Sequence, residues 1–170
     1  MPPLDQPWLT TWYDRGPSPG ERGNSVIIGH VDTRKVGAAV FYSLGKLSAG
    51  DLIRVTRTDG VTAVDAVALV TKAQFPASDI YGPSDRPSLR LITCGGDFDA
   101  SRHSYLANTI VTATLTSWHA TSAADHPAPL TAFIPNLPPP PAKAVVPHVK
   151  PKVATKPKAS KPKAKKPKGS

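Results

Sequence analysis

Cysteine is almost absent from this sequence, and its scarcity narrows the chemistry that the chain can perform. The 170 residues contain a single cysteine, Cys94. A disulfide within the chain is therefore impossible, and a zinc site built from several cysteines is excluded. A lone cysteine is either a small buried apolar residue or a reactive thiol, so the residues around Cys94 must decide between the two.

Long apolar runs are also missing. No segment approaches the about 20 residues that a membrane-spanning helix needs. The N-terminal residues 1–8 have neither the basic region nor the apolar region of an export signal. The chain as written therefore predicts neither a membrane anchor nor a signal peptide.

Acidic residues are absent from the last quarter of the chain. All 12 Asp and Glu residues precede Pro127, whereas ten lysines and ten of the 20 prolines lie from Pro135 onward. The formal net charge of +9 therefore belongs to this tail, and the nearly neutral body gives no reason to expect specific nucleic-acid binding. We predict a folded domain over residues 1–119, a Pro-rich linker over 120–142 and a disordered Lys/Pro/Ala-rich tail over 143–170.

The body has the pattern of a mainly β protein. Residues 25–29 form a short apolar run that predicts a buried strand ending just before His30. Asp59-Gly60 separates two β-rich runs and is a strong hairpin signal. Further strands are predicted over 88–93 and 108–115, a short helix over 38–47, and irregular structure over 1–24. Such short strands suggest a sandwich or a small barrel.

Cys94 and His30 are the first candidate catalytic residues. Cys94 ends a predicted strand, where a rigid scaffold can present a sulfur to a groove. A thiol has an ordinary pKa of about 8.5, so it needs a base or a cation nearby to react at neutral pH. His30 also ends a predicted strand, and both residues could meet at one rim of a sheet. The loop after Cys94 offers Arg102 as a donor to an oxyanion.

The motifs around these residues resemble the sortase family. Thr93-Cys94, within Leu-Ile-Thr-Cys, is similar to the sortase nucleophile motif, and the sequence over 29–32 (Gly-His-Val-Asp) is similar to the histidine motif. Together with residues 17–32, 39–42 and 94–99, they resemble actinobacterial class F sortases. The resemblance covers roughly residues 2–116.

The resemblance implies a sortase-like β-barrel, closed or partly open, and a cysteine transpeptidase without metal or other cofactor. Cys94 would attack the threonine carbonyl of a Leu-Pro-X-Thr-Gly-like sorting signal and form a thioester. His30 would act as acid and base, and Arg102 would stabilise the oxyanion. We also predict that Thr93, Asp32 and Gly95 contact the substrate, although Asp32 could instead orient His30 or cap a turn.

The expected partners follow from the same resemblance. They are the sorting signals of surface proteins and an amine acceptor in peptidoglycan, at the extracellular side of the plasma membrane. The tail could bind an anionic cell-wall polymer.

Two departures from the family pattern concern the arginine and the start of the chain. Sortases carry the arginine on the strand after the cysteine, where this sequence has Leu106, Ala107 or Asn108, so Arg102 and then Arg90 are the nearest candidates. Family members also have one or two strands and an anchor before the segment that matches Met1. We expect an open edge of the barrel and interpret the chain as a truncated reading frame.

Two other functions remain open from the sequence. Cys94-Gly95-Gly96 partly matches a caspase-like cysteine protease, but Gln-Ala does not precede it and the alternating helices of an α/β fold are lacking. The other alternative is an inactive sortase-like binding domain with a polyanion-binding tail, in which Cys94 would be inert.

Overall fold

A computed structural model describes residues 1–74 and 80–125, and in this part the chain is mainly β, as predicted. The predicted linker and tail lie outside the described residues, apart from 120–125. The strands are β1 (Thr10–Trp12), β2 (Gly23–Gly29), β3 (Asp32–Thr33), β4 (Gly37–Ala38), β5 (Leu52–Thr56), β6 (Val61–Ala73), β7 (Pro87–Asp99) and β8 (Ser104–Ala120), with short 3₁₀ helices at Leu44–Lys46 and Ala123–Asp125.

Six of the strands form one curled, half-barrel sheet in the order β1-β2-β7-β8-β6-β5. The pairs are antiparallel except for β2 and β7, which run parallel. β3 and β4 form a separate two-stranded sheet. The large sheet is partly open, with β1 and β5 as its edges, in agreement with the expected open barrel.

The β5–β6 hairpin forms where Asp-Gly predicts it. Gly60 has a φ of 83°, which is a conformation that glycine adopts without steric cost. The neighbouring Asp59 carboxylate accepts a hydrogen bond from the backbone N–H of Val61 at 3.2 Å. Turn chemistry therefore sets the register of this hairpin.

Three local expectations from the sequence were wrong. The helix predicted over 38–47 shrinks to Leu44–Lys46, because the backbone N–H groups of Ala39 and Phe41 donate to the carbonyls of Val31 and His30 at 3.0 Å each. β1 forms within the supposedly irregular N-terminal residues. β7 and β8 extend through residues expected to form a loop, which leaves a much shorter connection between them.

Apolar side chains cover both faces of the sheet. Alternating positions of β7 point to opposite faces, so Leu89 and Leu91 join one cluster with Val111, while Ile92 joins another with Val26 and Ile110. The members of both clusters are at most 7 % exposed. This burial on both faces explains why the consecutive residues Leu91 and Ile92 of β7 are both apolar.

The second cluster ends in a row of isoleucines on three adjacent strands. Ile28 pairs with Ile92 in the parallel register, and Ile92 pairs with Ile110 in the antiparallel register. The three side chains lie on one face of the sheet, and the residues two positions further along must continue that face.

Within the described residues, no helix has the length and hydrophobicity needed to cross a membrane.

Candidate active site

His30 and Cys94 continue the isoleucine row just beyond the point where the pairing of β2 with β7 ends. Each lies two residues after a member of the row, His30 after Ile28 and Cys94 after Ile92. Those two isoleucines are register partners on parallel strands, and neighbouring strands lie about 4.8 Å apart. Both residues line the same cavity, so the meeting at one rim expected from the sequence is present in the structure.

Packing around Gly29 holds His30 in place. A Cβ atom at Gly29 would lie 2.6 Å from Cδ2 of Phe41 and 2.8 Å from Cγ1 of Val40, so only glycine fits here. The carbonyl of His30 accepts a hydrogen bond from the backbone N–H of Phe41. The motif over 39–42 and the glycine before the histidine are therefore two sides of one contact.

The imidazole of His30 is mostly buried, at 8 % exposure, and contacts the start of the chain. Its Nε2 lies 2.8 Å from the carbonyl oxygen of Pro2. Because a carbonyl can only accept, Nε2 carries the hydrogen in this arrangement. A substrate group that uses Nε2 must therefore displace Pro2.

Cys94 is half-buried, and its surroundings favour the neutral thiol. Burial raises the pKa of Cys94, and the negative charge of Asp32 raises it further. A thiol held in this state needs a base to take its proton as it attacks a carbonyl. His30 and His103 are the two imidazoles that line the cavity with Cys94, and His30 follows the register partner of Ile92.

Asp32 lies at the start of β3 and is bound by a residue of β8. The hydroxyl of Tyr105 donates a hydrogen bond to Oδ2 of Asp32, which raises the pKa of Tyr105 to about 12. The ring of Tyr105 packs edge-to-face against Phe98, with the ring centroids 5.2 Å apart. The carboxylate is thus held at the cavity by a hydrogen bond whose donor is itself fixed by packing.

The arginines suggested by the sequence lie away from the cavity lining. The side chain of Arg102 is 76 % exposed, and its Nε lies 3.6 Å from Oδ2 of Asp99. Arg90 donates a hydrogen bond to Thr112 within the sheet, and burial lowers its pKa. Arg34, in the turn between β3 and β4, is the arginine that lines the cavity.

Asn108 occupies the position across the sheet from the cysteine. It is the antiparallel register partner of Cys94, so the two side chains share a face. It also lines the cavity. An asparagine amide can donate to an oxyanion.

Thr93 and Gly95 flank Cys94 in β7, and their positions face the opposite side of the sheet from its side chain. Thr93 is 2 % exposed, and its Oγ1 has no hydrogen-bond partner in the part of the chain that the structure describes. A Cβ atom at Gly95 would lie 2.5 Å from Oγ1 of Thr109. Both residues shape the strand that carries Cys94, and their contact with substrate stays a prediction.

The cavity itself has a volume of about 1030 Å³. Three of its apolar side chains are strongly exposed, Leu4 at 68 %, Phe98 at 54 % and Leu106 at 49 %. Within residues 1–74 and 80–125, no three His, Cys, Asp or Glu side chains lie close enough together to hold a metal ion. The cavity therefore combines a thiol, the imidazoles of His30 and His103, a carboxylate and exposed apolar side chains.

A family model described as the sortase domain matches residues 4–116, which is more than half of the chain. The chain belongs to the sortase family. Sortases are cysteine transpeptidases, and Cys94 is the only cysteine available to this one. The assignment to class F stays a prediction, because the matches include several sortase classes.

Solved sortase structures share this fold. The SrtA sortase from Actinomyces oris is 25 % identical with a TM-score of 0.56, and the match covers 69 % of this chain and 66 % of that one. Sortase A from Listeria monocytogenes is 14 % identical with a TM-score of 0.53, covering 71 % and 74 %. A sortase E variant from Streptomyces avermitilis is 21 % identical with a TM-score of 0.53, covering 69 % and 77 %.

This sortase chain spans slightly less than two thirds of the length of the Actinomyces oris structure. A search among curated proteins finds no match.

Sequence reasoning missed Tyr105, Phe98 and Arg34 as residues of the site. The first two lie in a segment that was expected to be a loop. A register shift between Gly95 and Phe98 also changes which residues of β7 and β8 are opposite each other at the end of β7. Tyr105, Leu106 and Ala107 are consecutive, so no alternation of apolar and polar residues was available as a strand signal. Arg34 follows His30 by only four residues, but nothing in its spacing indicated the turn that brings it to the cavity.

Proposed function

We propose that this protein is a transpeptidase that cleaves a Leu-Pro-X-Thr-Gly-like sorting signal and transfers it to an amine of the cell wall. One observation carries the proposal: Cys94 and His30 each follow by two residues the last register partners of two parallel strands, Ile92 and Ile28, and both line one cavity. The sortase family supports the reaction type. The sorting signal and the acceptor come from the resemblance of the sequence motifs.

In the first half-reaction, the sulfur of Cys94 attacks the carbonyl carbon of the threonine. His30 takes the thiol proton and delivers it to the amine of the departing glycine, so the C–N bond breaks as the thioester forms. In the second half-reaction, an amine attacks the thioester and displaces the thiol. One amide bond is broken and one is formed over the two half-reactions, so the overall change in free energy is small and no cofactor is required.

The cavity lining suits the apolar end of such a signal. Leu4, Phe98 and Leu106 are exposed apolar side chains at the cavity. Burying them against leucine and proline would stabilise the complex by about 25 cal/mol for each square ångström removed from water. Thr93, Asp32 and Gly95 remain our further candidates for substrate contacts.

Two side chains are candidates for the oxyanion donor. Arg102, the candidate from the sequence, would have to leave Asp99 and turn inward. Asn108 already shares a face with Cys94. Loss of the true donor should lower kcat by about a hundredfold or more. We expect Asn108→Ala to lower kcat by this amount and Arg102→Ala to lower it only slightly. Ser104→Ala is the control, because Ser104 lines the same cavity. A large decrease in Arg102→Ala with a small one in Asn108→Ala would make Arg102 the donor.

A transpeptidation assay by mass spectrometry tests the proposed function. The protein is mixed with a Leu-Pro-X-Thr-Gly-type peptide library and an amine acceptor, beside Cys94→Ala and His30→Ala. The matched control is His119→Ala, because His119 pairs with Asp125 instead of lining the cavity. We expect a ligated product that both active-site variants lose and the control keeps. A product that persists in Cys94→Ala would refute the nucleophile.

A second candidate function is an inactive sortase-like binding domain. The Pro2 carbonyl against His30 and the raised pKa of Cys94 favour it. It predicts peptide binding without a thioester, which intact-protein mass spectrometry would detect. A caspase-like protease is excluded, because the described residues have a mainly β sortase fold instead of an α/β fold.

Localisation and the tail belong to the same proposal. We infer that the protein acts at the extracellular side of the plasma membrane on surface-protein signals and a peptidoglycan amine. Residues 143–170 would bind an anionic cell-wall polymer through their lysines. Deleting these residues should reduce cell-wall retention in a salt-dependent manner, and unchanged retention would contradict this assignment.

A further inference from the structure

The cavity places a carboxylate next to the thiol that has to become an anion. Asp32 and Cys94 line the same cavity, and the charge of Asp32 opposes ionisation of the sulfur. In the first half-reaction this arrangement is unfavourable. If Asp32 has a favourable role in the reaction, that role must therefore belong to a step in which Cys94 carries no negative charge.

The carboxylate is positioned but has no cation to neutralise it. Tyr105 holds it by a hydrogen bond, and Phe98 packs against the ring of Tyr105. Among the residues that the structure describes, no Lys, Arg or His nitrogen lies within 4.0 Å of its oxygens in an ion pair. Arg34 lines the same cavity but makes no such pair. Asp32 is thus a fixed anion with an open position for a cation.

We propose that Asp32 binds the ammonium group of the incoming acceptor amine, and that Tyr105 is the positioning residue that holds its carboxylate. The inference rests on the proposed transpeptidase function and names the class of its second substrate, a primary ammonium. Once Cys94 is part of an uncharged thioester, the carboxylate no longer opposes a thiolate. An ammonium hydrogen-bonded to a carboxylate is one of the stronger polar interactions in proteins.

The protons of this step balance. An α-amine has an ordinary pKa of about 7.7 to 8.0, so it arrives mostly as an ammonium at neutral pH. It gives up two protons as the C–N bond forms and the C–S bond breaks. His30 takes one and passes it to the departing sulfur of Cys94, and the other goes to solvent. Asp32 holds the amine near the thioester before the first proton leaves.

The test compares a charged and an uncharged nucleophile on the same thioester. Triglycinamide is mostly an ammonium at neutral pH, whereas hydroxylamine is uncharged. For Asp32→Asn, we expect the ratio of kcat/KM for triglycinamide to that for hydroxylamine to fall roughly tenfold or more. Most of the fall should be in the KM of triglycinamide. A general structural defect would lower both rates and leave the ratio unchanged.

Matched variants separate local from general effects. Asp97→Asn removes an exposed charge close in sequence to Cys94 and should keep the wild-type ratio. Tyr105→Phe removes only the hydroxyl and should lower the ratio as well, whereas Tyr81→Phe should not. Tyr105→Phe also serves as the test if Asp32→Asn does not fold.

The outcomes are distinguishable. A thioester in the wild-type protein with an unchanged ratio in Asp32→Asn or in Tyr105→Phe would overturn the ammonium site and leave the proposed function standing. Absence of a thioester in the wild-type protein, read by intact-protein mass spectrometry, would overturn the proposed function and the ammonium site with it.

Discussion

Asp65 should limit the stability of this protein at neutral pH. It lies in β6 with 1 % of its surface exposed, between the register partners Ile53 and Leu115. Its Oδ2 is buried and has no hydrogen-bond partner among the described residues. Burial raises the pKa of Asp65 from 3.8 to about 6, because charge is costly in apolar surroundings.

The sign and the size of the effect follow from this difference. The folded state holds the proton more tightly than the unfolded state does. The resulting stabilisation is complete below pH 3.8 and is lost as the pH rises through about 6. The full difference corresponds to about 3 kcal/mol, which is a large part of the stability of a typical domain. Asp65→Asn is neutral and similar in shape, so it should be more stable than the wild type by up to this amount at pH 7.5.

Urea unfolding of both proteins from pH 4 to pH 7.5 measures the effect. The stability difference should be small at pH 4 and grow across the window around pH 6. Asp14→Asn is the control, because Asp14 is exposed and makes no side-chain hydrogen bond in the part of the chain described. A difference that does not change with pH, or one that appears equally in Asp14→Asn, would refute the reasoning.

Two further predictions concern the strand that carries Cys94. Gly95→Ala should destabilise the fold by about 1 to 3 kcal/mol in thermal unfolding, since the new Cβ would lie 2.5 Å from Oγ1 of Thr109. The control is Gly45→Ala, whose Cβ would lie 3.7 Å from Cγ2 of Thr109 and should reduce the stability much less. Equal reductions in stability would contradict the steric argument. The charge of Asp32 is, after burial, the second cause of the raised pKa of Cys94. Asp32→Asn removes that charge, so iodoacetamide should alkylate Cys94 faster at neutral pH. An unchanged pH profile of alkylation would count against this electrostatic effect.

Much of the fold could be predicted from local sequence. The apolar run before His30 and the Asp-Gly turn specify a strand and a hairpin through short-range chemistry, and both are present. The helix over 38–47 failed because apolar spacing cannot reveal that the carbonyls of Val31 and His30 need donors from that segment. Tertiary hydrogen bonds decided its conformation.

The candidate site also contains residues that the sequence could predict and residues that it could not. His30 and Cys94 could be proposed because each ends a recognisable strand, and the structure brings both to one cavity. Tyr105 and Asn108 could not be placed, since their relation to Asp32 and Cys94 depends on the β7–β8 register and on the irregularity after Gly95. A register is a property of paired strands, and no short stretch of one strand contains it.

The parallel pairing of β2 with β7 has a consequence for how the folded domain forms. The β5–β6 hairpin lies between them in sequence and can form early, because its contacts are local, whereas closing the long loop between β2 and β7 is slow. Until these strands pair, Cys94 and His30 are on unconnected parts of the chain. A partly folded molecule would hold the two groups of the proposed catalytic pair apart, so recovery of the proposed activity during refolding should report the last step of sheet assembly.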